Sequence, residues 1–399
     1  MAPPGTSASA PTAHRGDRRL VVLLTGAMAF SMLQLFLLGA LGPRLVADLG
    51  VSPTVLGLTT TIGFGTAALL SPIGGRIVDL TGPRRSLVLL LTASAAALAA
   101  IGAAPGATVL LCAVALGGLP QALANPATNK AVLAAVAPER RGAVTGLKQS
   151  GVQLGAFAAG LPLAALAAGL GWRAAVWTAA AAALLAAGWA HRVLPADPVR
   201  PAAPAPALRA PRGMTAWLCA YSLLLGAGIA SVNTYLALYG VRELGLGSTV
   251  AAALVAVLGL TGIAGRVCWS RAARPGRAER LPALLAGGAL LAAALLAAAQ
   301  WAVPLVWAGA VAVGVFAVSA NAVSMVLVMQ RATPGRAGQD SALVAAGFFG
   351  GFAVGPAVFA PFAESGHYGA GWLLVGTEFA LAAVVGYTWA RRDACGEPA

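Results

Sequence analysis

The chain has 399 residues, of which 59% are hydrophobic and only 10% charged, and its mean hydropathy is +0.83. Soluble domains carry about 25% charged residues, so a soluble fold is excluded. The net charge of +14 marks no nucleic-acid partner either, because the arginines stand in short groups between apolar stretches and form no basic face with polar surroundings.

The polar segment 1–19 reads as an N-terminal tail. The apolar run 20–41 that follows is too long for a signal-peptide core and reads as a first membrane helix. Further runs of membrane-crossing length fall at 55–73, 87–104, 108–132, 143–167 and 172–190. Gly102, Pro105 and Gly106 punctuate the third and fourth, which therefore read as two crossings rather than one long kinked helix. Residues 191–213 are rich in Pro, Ala and Arg, which opposes packed structure and predicts a linker in water. A second set then follows at 214–238, 250–270, 284–301, 303–329, 340–362 and 369–390, with Pro304 marking a turn, before a polar tail at 391–399. The predicted fold is an all-α membrane protein with twelve transmembrane helices in two six-helix pseudo-symmetric bundles. Asn125, Pro138, Gly142, Gly151 and Gly155 recur in register as Asn321, Pro334, Gly338, Gly347 and Gly351, as a parallel repeat requires.

Of the 26 Lys and Arg residues, all but Arg44, Arg173 and Arg242 fall on one side of this topology. Positively charged loops stay in the cytoplasm, which predicts cytoplasmic termini and linker in a multi-pass protein of the cytoplasmic membrane. Cys112, Cys219 and Cys268 lie in apolar stretches and Cys395 in the tail, so neither a disulfide framework nor a metal site is implied. No Gly-Lys-Ser/Thr phosphate loop occurs, which excludes ATP as a direct energy source. His14, His191 and His367 all lie outside the spans, which speaks against an intramembrane enzyme, and no stretch suggests a channel filter.

Between the second and third spans stand Gly75, Asp79, Gly82, Arg84 and Arg85, spaced as Gly, three residues, Asp, two residues, Gly, then paired cations. Gly75 suits close helix packing, Asp79 suits accepting from amides at a helix start, and Gly82 suits a turn. This segment resembles the loop signature of the major facilitator superfamily, although Leu80 stands where a cation is usual and the matching loop of the second half has Trp269 in place of the acid. Pro138 to Gly155 is similar to the family's connection between helices 4 and 5. Ala156 replaces the antiporter proline there, and no arginine stands near Ala113 or Val114. The resemblance covers about residues 20–390 and implies a monomeric secondary transporter without cofactor. It also makes Asp79 a latch between the halves.

The family's architecture implies a central cavity lined by the first, fourth, seventh and tenth helices. Each supplies polar candidates: Gln34; Gln121, Asn125 and Asn129, one stripe at helical spacing; Asn233 and Tyr235; Asn321 and Ser324. Lys148, with Gln149 and Gln153 beside it, either snorkels to the headgroups from the first turn of the fifth helix or presents a cation to the cavity. Lys130 is expected to snorkel and Arg44 to sit at the outer mouth. Glu378, the carboxylate well inside a span, is the candidate for a coupling proton. The expected activity is ion-gradient-coupled movement of a small organic solute, with an organic anion favoured by Lys148. Proton-coupled export of drugs is the alternative.

Overall fold

The computed structural model describes residues 11–197, 210–273, 278–331 and 337–394, and among them there is helix and no strand. The predicted tails at 1–10 and 395–399, the centre of the linker and Pro334 lie outside the described residues. Twelve helices are long and apolar enough to cross a membrane. They are span 1 (Arg18–Ala40), span 2 (Pro53–Ser71), span 3 (Pro83–Ala103), span 4 (Ala107–Ala135), span 5 (Val144–Leu170) and span 6 (Trp172–Val193), then span 7 (Met214–Arg242), span 8 (Ser248–Ala272), span 9 (Ala278–Ala298), span 10 (Leu305–Val328), span 11 (Leu343–Glu364) and span 12 (Tyr368–Arg392). An even number of crossings brings both ends of the chain to one face, hereafter the terminal face. The opposite one is the far face.

Helix starts follow local chemistry. Proline stands in the first turn at Pro53, Pro83, Pro138, Pro162 and Pro282, where its missing N–H costs nothing. Ser52 caps the helix of span 2 by accepting from the Val55 amide at 3.3 Å. The predicted turn between spans 3 and 4 is real: the chain is extended at Ala104 and Gly106 and helical again from Ala107. Two features have no counterpart in the sequence reading. A short helix, Gly42–Leu49, follows span 1 and ends at Gly50 with φ +63°, and span 10 contains a π-helical stretch, Val313–Val318. The first helix also starts at Pro11 rather than residue 20, and the last runs to Ala394.

Packing relies on small residues, since lipid is as apolar as leucine and close backbone approach supplies the attraction. A Cβ added at Gly151 or Gly155 in span 5 would meet the carbonyls of Thr25 or Ala29 in span 1. In the second half, Gly347, Gly351 and Gly355 of span 11 lie in the same way against the carbonyls of Cys219, Leu223 and Ala227 in span 7. The recurring glycines therefore make the same helix contact in both halves.

The two halves meet tightly at the far face. Gly39 rests on the Asn233 carbonyl. Thr60 and Thr234 share a hydroxyl hydrogen bond of 2.8 Å, and the Tyr235 hydroxyl donates within reach of both the Pro53 (3.1 Å) and Pro356 (3.2 Å) carbonyls. Further out, Glu364 accepts from the Thr54 amide and hydroxyl at 3.1 and 2.8 Å, and Arg44 donates to Thr249 at 2.9 Å. Toward the terminal face, by contrast, Asn125, Pro126 and Asn129 in span 4 and Asn321, Met325 and Val326 in span 10 all keep some exposure. The space between the halves thus opens toward the terminal face.

Candidate functional site

Lys148 is the central feature. The helix carrying it begins at Pro138, five residues earlier than the sequence reading placed the span, so at 1.5 Å per residue Lys148 lies about 15 Å along it. It is 0% exposed, which overturns snorkelling. Its Nζ donates to Thr128 Oγ1 at 2.7 Å and Asn129 Oδ1 at 2.6 Å, both in span 4. Thr128 in turn donates to the Ala124 carbonyl at 2.6 Å, leaving its oxygen free to accept from the lysine. Gln149 Nε2 donates to Asn125 Oδ1 at 3.0 Å. The predicted stripe on span 4 therefore serves as the cradle of span 5.

Gln121 of that stripe lies elsewhere. With Gln34, Thr59, Thr60 and Phe64 it lines a narrow cleft beneath the far-face closure. Gln34 makes only a long bond of 3.4 Å to the Val114 carbonyl, and both amide atoms of Gln121 are buried without a partner. Such unpaired amides are costly unless something polar visits them. Gln153 has an unpartnered Oε1 that faces Gly262 of span 8, and Asn321 has an unpartnered Oδ1.

Other candidates move away from the cavity. Tyr235 and Asn233 belong to the far-face closure, because the chain crosses the other half at that depth and leaves no room between. Ser324 is buried and donates to the Ala320 carbonyl of its own helix at 3.0 Å. Glu378 has an unpartnered, buried Oε2, but its neighbours Gly376 and Phe379 face Leu290 and Gly228, so span 12 packs on spans 9 and 7 rather than on the cradle.

The loop signature also needs correction. Gly74, not Gly75, makes the close approach: a Cβ there would lie 2.9 Å from the Ala122 carbonyl, whereas Gly75 has open space. Gly82 makes the turn at φ +85°. The helix start after it is capped not by Asp79 but by Asp197, whose carboxylate accepts from the Arg84 and Arg85 amides at 3.0 and 2.9 Å. Arg84 also donates to the His191 carbonyl, fastening the end of span 6 to this loop. Asp79 instead pairs with Lys130 at 2.9 Å, which replaces the snorkelling expected of that lysine and ties spans 2 and 4 of the same half. A pair this exposed contributes about 0–1 kcal/mol. If Asp79 latches the halves in the other conformational state, Asp79→Asn leaves thermal unfolding nearly unchanged while transport drops strongly. Wild-type uptake by the Asn variant would remove the latch role.

The second half contributes Arg266, which the sequence reading treated only as a charge of the terminal face. It lies in span 8, and its Nη1 reaches the Gln149 carbonyl at 3.4 Å. Its place inside the apolar run 250–270 was the available signal.

A family model of the Major Facilitator Superfamily matches residues 23–356. No curated protein matches the chain in sequence. Solved structures match it over almost its whole length. A mutant of the nucleoside transporter NupG has a TM-score of 0.73 at 12% identity, covering 93% of this chain and 99% of that one. A bacterial homolog of the human lysosomal transporter Spinster, in an inward-facing and unoccupied conformation, gives 0.74 at 16%, covering 96% and 98%. The human organic anion transporter MFSD10 gives 0.69 at 18%, covering 93% and 99%. At these identities the likeness establishes the fold, and the family model covers most of the chain. The chain belongs to the Major Facilitator Superfamily.

Proposed function

We propose that this chain is a secondary active transporter, not an enzyme, that carries a small organic anion across the cytoplasmic membrane by alternating access, driven by an ion gradient. One observation carries the reading: Lys148 is fully buried in the first half, against span 4, and held only by the neutral oxygens of Thr128 and Asn129. A desolvated cation without a carboxylate is costly, and a bound anion offsets that cost. The unpaired amide atoms of Gln121 beneath the far-face closure, of Gln153 at the crossing with span 8 and of Asn321 in span 10 support a polar solute as the ligand.

The halves 20–190 and 214–390 rock about the solute as a monomer, with 191–213 as the tether between them. The distribution of Lys and Arg supports the reading that the termini, and hence the open face, lie in the cytoplasm. A second reading, proton-coupled export of apolar drugs, draws on the cluster of Phe64 with Phe349 and Phe352, whose ring centroids lie 5.7 and 4.5 Å from it. Glu378 would then carry the proton.

Counterflow in proteoliposomes tests the assignment. Vesicles preloaded with an unlabelled organic anion should take up the labelled one without ATP, and an uncoupler should abolish accumulation but not exchange. Exchange of cationic or neutral drugs alone would favour the second reading, and conductance without exchange would reject a carrier.

A further inference from the structure

Spans 5 and 8, one from each half, cross in opposite directions with almost no side chain between them. A Cβ at Gly160 would meet the Ala252 carbonyl and Ala256 amide, one at Gly259 the Gln153 carbonyl and Phe157 amide, and one at Gly262 the Gln153 side chain. One turn further toward the open end the same face of span 8 presents Arg266. Its guanidinium makes a single long bond, 3.4 Å to the Gln149 carbonyl, and its Nε is shut from solvent with no partner. Among the described residues no carboxylate lies within pairing distance of Arg266 or Lys148. Gln149, next in the chain to Lys148, thus accepts from Arg266 with its carbonyl and binds Asn125 with its side chain. A fully buried lysine and a partly buried arginine, one from each half, flank one residue.

We propose that Arg266 is a substrate-binding residue contributed by the second half, and that with Lys148 it selects an organic solute bearing two negative charges, such as a dicarboxylate or a phosphate monoester. This rests on the reading that Lys148 binds an anion. A monoanion neutralises one cation and leaves the other uncompensated, whereas a dianion satisfies both. Arginine suits the task because its planar donors match carboxylate and phosphate oxygens in pairs. A solute held by both cations also ties span 5 to span 8, which favours closing the open end around a loaded site over an empty one.

The test uses the purified full-length protein, with thermal stabilisation and competition for transport as readouts and with succinate, its monomethyl ester and glycerol 3-phosphate as probes. In the wild type the two dianions should act at concentrations about 10- to 100-fold below the monoester, the range that one charge-assisted hydrogen-bonded contact confers. Arg266→Gln should erase that preference while monoester binding changes little, and Arg266→Lys should retain part of it. If the Gln variant fails to fold, the Lys variant, which keeps the charge, carries the test through a reduced preference. An unaltered dianion-to-monoester ratio in a folded variant overturns the proposal, as does equal weakening of both, which makes Arg266 a structural clamp. No response to any probe in the wild type also rejects it. If Lys148→Gln weakens every anion but Arg266→Gln leaves the ratio intact, the anion-transport reading stands and this one falls; if Lys148→Gln affects none, both fall.

Discussion

Lys148→Met is expected to abolish transport while leaving the folded protein as stable as the wild type or more so. The lysine is 0% exposed and has no anionic partner, so the folded state bears its desolvation cost. Replacing a buried ion pair with apolar residues of similar volume is often neutral or stabilising by about 1–4 kcal/mol, and Lys148 lacks even the opposite charge that offsets burial. The groups left behind are not stranded: Thr128 keeps its bond to the Ala124 carbonyl, and Asn129 is exposed to water. Uptake should fall by about 100-fold or more, the scale of one or two charge-assisted contacts at 1.4 kcal/mol per tenfold. Thermal unfolding of the solubilised protein and uptake into vesicles together decide the matter. A variant that loses stability and activity in parallel would make Lys148 part of the frame rather than of the site.

Gly39→Val is expected to stop the cycle without unfolding either half. A Cβ at residue 39 would run into the Asn233 carbonyl, a backbone group that has no rotamer with which to yield. Overpacking costs about 1–3 kcal/mol, and here separating the halves at the far face relieves it. The cost thus converts into a shift of roughly 10- to 100-fold toward the state open at that face. Thr60 offers a reporter, since it is buried in the closure beside Thr234. Thr60→Cys should react slowly with an impermeant maleimide applied at the far face and much faster once Gly39→Val is added. Equal reactivity in the two backgrounds would show that spans 1 and 7 absorb the extra methyl groups locally, and the crossing would lose its role as a gate.

The twelve crossings were legible because hydrocarbon leaves a backbone no partner but itself, so span length and apolarity are written along the chain. Local turn chemistry was legible for the same reason: Gly106 and Gly82 break helices where glycine and proline punctuate the apolar runs. The amide stripe of span 4 was visible from its spacing alone. Its division was not, since Gln121 lies under the far-face closure while Asn125 and Asn129 hold Gln149 and Lys148.

What the tertiary structure decided is which partner each polar group meets. Asp197 rather than Asp79 caps the helix after Gly82, because the residues following span 6 return beside that loop. Gly74 rather than Gly75 takes the close contact, a difference of one residue that rotates the helix face by about 100° and that composition does not register. Tyr235 is taken up in the far-face closure and Arg266 is brought against the Gln149 carbonyl because the halves are closed at one face and open at the other, which depends on how they sit against each other. In a membrane the lipid-facing and protein-facing sides of a helix are equally apolar. Periodicity therefore determined the helices of this chain, and only close backbone contact between them determined the site.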